Sequence, residues 1–262
     1  YDLFLGRAYL EHAKTIQDEQ ERERLIAAAA EDLKEAQRIN PLNTDHTANL
    51  ARLYSLWCTF SNDPIEQATR ASLADEYFAK AVSLSPKNAR LWDEWAAHTM
   101  NNLNDPQTAY QRLQQALEID PYYDWTYGLI GDYYGRFISK APNATAEEKE
   151  KALIQAAEYY TKALSLAEPD NLSLSYGYLV SYAGVVTQLG NLPQAILAYE
   201  RAVQLWPDNP DRWRIEAALA QLYAQLGDLR TALQYAQSAL ALTPQDQRAS
   251  VEELIRQYGG QP

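Results

Sequence analysis

Apolar positions along this chain fall in steps of three and four, and one spacing recurs from end to end. A small residue is followed four positions on by a larger apolar one, then three on by Ala, then five on by Pro: Ala195, Tyr199, Ala202, Pro207. The same spacing gives Ala29, Leu33, Ala36, Pro41; Ala74, Phe78, Ala81, Pro86; and Ala109, Leu113, Ala116, Pro121. In Ala156, Tyr160, Ala163 the proline arrives one residue later, at Pro169, and in Ala232, Ala236, Ala239, Pro244 the large position is itself Ala. Steps of four and three hold residues on one face of a helix. The small residues admit a neighbouring helix closely, the large one fills the gap, and proline ends the element.

A second amphipathic segment precedes each of these helices. Leu5, Gly6 and Tyr9 open the chain, and the motif returns as Leu50, Ala51, Tyr54, as Ile130, Gly131, Tyr134, and as Leu219, Ala220, Tyr223. Turn residues part the two helices of a pair at Asn104-Asp105-Pro106, Gly190-Asn191 and Gly227-Asp228. The pattern predicts six helix pairs at about 1–41, 44–86, 88–121, 122–169, 171–207 and 209–244, in one all-α domain spanning 1–262. A helix at about 246–258, with Val251, Leu254 and Ile255 on one face, is predicted to cap the last apolar edge.

The combined L-G-x-x-Y, A-x-x-x-F, P pattern resembles the tetratricopeptide repeat (TPR), over nearly the whole chain. The resemblance implies a right-handed superhelical solenoid of about 13 helices that binds a protein or peptide in a concave groove and does no catalysis of its own. Three repeats exceed the usual length of about 34 residues. The first two carry about 11 extra residues and the fourth about 13, and these are predicted to form longer helices. The charged stretch 17–24 belongs to the first insertion, and Thr145 with Glu148 matches a capping box in the last. The insertions are either tolerated surface additions or an added contact surface.

The resemblance also implies which residues point into the groove. Arg7 comes from the first pair, Asp45 and Arg52 from the second. The third gives Glu94, His98, Asn101 and Asn102, and the fourth Trp125, Asp132 and Arg136. Gln188 comes from the fifth pair, Arg214 and Gln221 from the sixth. This mixture of donors, acceptors and both charge signs suits an extended peptide backbone or a partner helix; the plainer reading is a solvated surface. The Lys/Asn/Arg clamp with which co-chaperone repeats hold a C-terminal carboxylate is not matched. The stretch 40–54 is similar to the TPR tail that follows the membrane part of bacterial O-antigen ligase or polymerase-like proteins. That likeness implies an alternative, an accessory module of a membrane glycan ligase, tethered to a membrane domain upstream and facing outside the cytoplasm. A first residue of Tyr1 rather than Met fits a piece of a longer protein.

Composition narrows the partners. The formal net charge is −12, with a pI near 4.7. Nucleic-acid binders concentrate Lys and Arg to displace counterions, so DNA and RNA are disfavoured, as is an anionic lipid surface. The acidity serves solubility or a basic partner. No apolar run approaches the roughly 18 residues of a membrane span. Cys58 is the single cysteine, which excludes an internal disulfide, and its apolar neighbours Leu56, Trp57 and Phe60 predict burial. His12, His46 and His98 have no metal-ligand spacing, and neither a phosphate-binding Gly-rich loop nor a G-x-S-x-G elbow occurs, so no metal, cofactor or catalytic site is expected. Of the 19 tyrosines, those at pattern positions are assigned to the core, leaving Trp125 and Tyr122-Tyr123 as less constrained aromatics.

Overall fold

The computed structural model describes residues 2–13, 15–16, 18–168 and 171–259, with side chains from residue 8 onward. Arg7, Leu5 and Gly6 as side chains, Gln17 and Pro169 therefore lie outside the described residues. Within them the chain forms thirteen α-helices and no strand. Residues 1–126 and residues 127–262 make two compact units.

The first unit holds α1 (Asp2–Ala13), α2 (Glu19–Ile39), α3 (Thr44–Trp57), α4 (Pro64–Leu84), α5 (Ala89–Asn101) and α6 (Pro106–Ile119). The unit boundary falls inside α7 (Asp124–Asp132), which continues as a π-helical segment, Tyr133–Ile138. The second unit goes on with α8 (Ala146–Leu166), α9 (Leu172–Gln188), α10 (Leu192–Leu205), α11 (Arg212–Gln225), α12 (Leu229–Leu242) and α13 (Arg248–Gln257).

Local chemistry sets the helix ends. Asp18, Asn43, Asp63, Asp105, Asn171, Asn191 and Asp228 each accept a first-turn N–H through the side chain. Thr145 and Glu148 form the predicted capping box at the start of α8. At the other end, the N–H after five of the six second helices donates to the last pattern alanine. Asn40, Ser85, Asp120, Ala167 and Trp206 donate to the carbonyls of Ala36, Ala81, Ala116, Ala163 and Ala202. Three of the turns within pairs use a left-handed residue, Gly190 (φ 76°), Gly227 (φ 83°) and Asn104 (φ 53°).

The pattern residues are the core. Ala74, Ala81, Ala109, Leu113, Ala116, Ala156, Ala163, Ala195 and Ala202 are fully buried, and Phe78 and Tyr160 nearly so. Tyrosines bridge the two helices of a pair at one repeated place: Tyr54 stacks on Tyr77, Tyr134 on Tyr159 and Tyr223 on Tyr235, with centroids 5.5–5.7 Å apart. Gly131 is required by the same packing, because a Cβ there would lie 2.6 Å from the Tyr160 ring. The predicted insertions appear as length. α2, α4 and α8 run to 21 residues, while α6, α10 and α12 have 14. The closing helix α13 buries Val251 and Ile255 against Ala239 and Ala236 of α12.

Candidate functional site

The first helices of successive pairs in residues 1–126 line an open cavity of about 350 Å³. Arg52, Ser55 and Thr59 come from α3 and the short 3-10 turn that follows it. Glu94, Ala97, His98, Asn101 and Asn102 come from α5 and its C-terminal cap, and Trp125 from the start of α7. A four-residue and three-residue stagger along α3 and α5 puts these side chains on one stripe of each helix. Phe78 of α4 closes the bottom.

Two hydrogen-bonded groups organise the walls. In the first, Arg52 donates from Nε to Glu94 Oε2 at 2.8 Å and from a terminal nitrogen to Asn49 Oδ1 at 3.0 Å. Arg90 donates to the other oxygen of Glu94 at 2.9 Å. Glu94 thus ties α3 to α5 through a carboxylate shared by two arginines, and its hydrogen bond holds the Arg90 guanidinium above its ordinary pKa. In the second, His98 Nε2 lies 3.0 Å from the carbonyl of Ala71, which can only accept, so Nε2 carries the proton. Nδ1 is then an acceptor, facing Ser55 Oγ at 2.9 Å and Asn102 Nδ2 at 3.0 Å. Burial pushes the His98 pKa down, consistent with a neutral ring. Asn102 also donates to the Ser55 carbonyl at 2.9 Å.

A buried acid lies one residue before Glu94. Asp93 is fully buried and accepts from Thr126 Oγ1 at 2.7 Å through Oδ2, while its Oδ1 has no hydrogen-bond partner. Burial raises its pKa to about 8. The proton it retains makes it a neutral peg between α5 and the start of α7.

The sequence-derived groove residues divide by place. Arg52, Glu94, His98, Asn101, Asn102 and Trp125 share the one cavity. Within it His98 is almost wholly buried, so it shapes the wall through Ser55 and Asn102 rather than offering a free ring nitrogen. Asp45 is exposed near the start of α3 and outside the cavity lining. The remaining residues belong to the second unit. Asp132 ends α7, accepts from Tyr160 at 2.9 Å and has its pKa raised by burial. Arg136 is exposed on the π-helical segment, 3.9 Å from Asp132. Gln188, Arg214 and Gln221 are exposed on α9 and α11. Ser55, which joins the His98–Asn102 group, was not among the expected residues. Its signal was present, since it lies three residues after Arg52 on the same stripe of α3.

A tetratricopeptide-repeat family model matches residues 176–245. Solved structures of similar fold include PilF of Pseudomonas aeruginosa, 19% identical, with 98% of each chain covered and a TM-score of 0.60. The type IV pilus biogenesis factor PilW is 16% identical, with 96% of this chain and 97% of that one covered and a TM-score of 0.63.

The fold is that of the tetratricopeptide repeat.

YrrB, described as a TPR protein with an unusual peptide-binding site, is 16% identical over 86% of this chain and 98% of its own, with a TM-score of 0.54. Among curated proteins, the Protein CTR9 homolog of Arabidopsis thaliana is 30% identical over 168 residues. That stretch is 53% of this chain and 15% of the plant protein, so the chain spans a small part of that relative's length. Among the described residues no three His, Cys, Asp or Glu side chains are grouped to hold a metal ion. No described helix is long and apolar enough to cross a membrane.

Proposed function

We propose that this chain is a polypeptide-binding scaffold without catalysis of its own, and that its site is the groove along α3, α5 and the start of α7. The observation that carries the reading is one cavity lined by side chains that can both donate and accept. Asn101 and Asn102 supply amide groups, the Arg52–Glu94 pair supplies paired charges, and Trp125 supplies an aromatic platform at one end. A peptide backbone needs donors and acceptors at once, and a rigid wall that holds them fixed lowers the ordering cost of binding. The TPR fold favours the same class of partner, and YrrB is described as binding peptide on that fold. A net charge of −12 argues against nucleic acid. Because Arg52 and Glu94 are already paired, the ligand is of mixed charge and its affinity falls moderately with salt.

The reading is tested with peptides selected from a random library on the whole chain. Trp125→Ala and Arg52→Ala should each weaken their binding at least about tenfold without changing the circular dichroism spectrum. Binding that survives both but is lost when the exposed faces of α2 and α4 are changed moves the site to the elongated helices, whose 21-residue length favours that second reading. The further reading, an accessory module of a membrane glycan ligase, rests on the stretch 40–54. It is decided by the reading frame upstream, where a run of hydrophobic spans is required.

A further inference from the structure

The second unit carries a trough of different chemistry. α8 and α10, the second helices of two successive pairs, both pack on α9. Two cavities of about 590 and 610 Å³ lie along this arrangement and share Thr161, Tyr182 and Gln194, so they form one continuous trough. Its floor is apolar, with Leu179 and Val186 of α9 both buried. Its walls expose apolar side chains that the fold does not use: Ile154 on α8 is 45% exposed and Leu197 on α10 is 66% exposed. The ends are charged in opposite senses. Glu150 stands at one end, Glu158 midway along the α8 wall, and Arg201 toward the other end, all three exposed. Among the described residues no ion pair closes on them.

We propose that this trough is a docking site for an amphipathic helix of another polypeptide. The incoming helix presents an apolar stripe, with basic residues over Glu150 and Glu158 and an acidic residue over Arg201. Two wall helices packed on a common floor helix leave a channel in which an incoming helix can seat its ridges. The α8 wall from Glu150 to Ser165 spans about 22 Å, or roughly four turns of an incoming helix. The unpaired charges at the two ends fix its polarity and its register, which an apolar stripe alone leaves free. A second copy of the chain fits poorly, because a two-fold contact would set one concavity against another and leave the space between them unfilled.

The test uses a phage-displayed library of helical peptides about 18 residues long, selected on the whole chain. The enriched peptides are then synthesised and titrated by fluorescence anisotropy. The expected peptides carry apolar residues at helical spacing, with Lys or Arg grouped at one end and Asp or Glu at the other. Ile154→Glu and Leu197→Glu should each weaken them at least about tenfold, and Arg201→Glu should favour peptides whose acidic end is replaced by Lys. These positions are exposed, so the circular dichroism melt should stay in place. Trp125→Ala should leave this binding unchanged, which separates the trough from the groove of the first unit. Enriched peptides indifferent to Ile154→Glu and Leu197→Glu would overturn the proposal, as would peptides with no polarity of charge. So would a dimer in sedimentation velocity that the same two variants dissolve, since the occupant would then be a second copy.

Discussion

The groove of the first unit and the trough of the second rest on the same repeat but differ in what lines them. In the first unit the first helices of the pairs turn Arg52, Glu94, Asn101 and Asn102 toward the cavity, and the polar groups are already bonded to one another. In the second, exposed Ile154 and Leu197 join polar Thr161 and Gln194 between two second helices, with Glu150 and Glu158 on α8 and Arg201 on α10. The packing residues beneath are interchangeable in kind: Ala81 and Ala116 in one unit, Ala163 and Ala202 in the other, all fully buried. The repeat spacing therefore sets the scaffold, while binding character is set at positions the spacing leaves free.

The largest expected effects should be indifferent to this contrast. Ala81→Leu in the first unit and Ala202→Leu in the second should each overpack a closed helix contact and cost roughly 1–3 kcal/mol. A melt unmoved by either would show that the repeat face is wrongly placed there. Gly131→Ala is expected to fall in the same range of about 1–3 kcal/mol, because its Cβ would meet the Tyr160 ring.

Smaller effects should be confined to the polar groove. Asn102→Ala removes the donor to the Ser55 carbonyl, while His98 Nδ1 keeps the Ser55 hydroxyl, and should cost about 1 kcal/mol, read by urea unfolding. Its counterpart in the trough, Leu197→Gln, should stay within about 0.5 kcal/mol because the side chain is exposed.

The pH dependence sharpens the comparison within the first unit. Asp93 has a folded pKa of about 8, well above the unfolded value of a carboxylic acid near 4. Its neutral form is favoured by folding, so its contribution is full at low pH and is lost as pH rises from about 4 through 8. His98 works the other way. Its folded pKa is depressed, so its contribution is present above its ordinary value near 6.5 and is lost as pH falls below it. Asp93→Asn should therefore flatten the decline in Tm toward pH 8 and leave the acid side in place. A decline that persists unchanged in Asp93→Asn would assign it to other groups.

Much of this was legible from spacing because the relevant forces are local. Ala36, Ala81, Ala116, Ala163 and Ala202 take the last helical hydrogen bonds, as the Ala-to-Pro interval implies. Gly190, Gly227 and Asn104 mark the turns through residue type alone. The length of α2, α4 and α8 followed from counting residues between pattern positions. The π-helical segment after Asp132 was not legible. The Gly131-to-Tyr134 motif reads as ordinary helix, yet Ser139 N–H donates five residues back to Tyr134. The burial of His98 was equally hidden, because it depends on Ala71 of α4 and Ser55 of α3 meeting α5. The acidity of Asp93 shows only as a charge in the sequence. Its neutrality comes from a desolvated site that three-residue periodicity does not describe.

The central claim, that the first unit's groove holds polypeptide, is tested most directly by amide hydrogen exchange on the whole chain with a saturating library-selected peptide. The claim predicts slowed exchange concentrated in α3, α5 and the start of α7, lost in Trp125→Ala at the same peptide concentration. Protection that appears elsewhere and is unchanged in Trp125→Ala would contradict it.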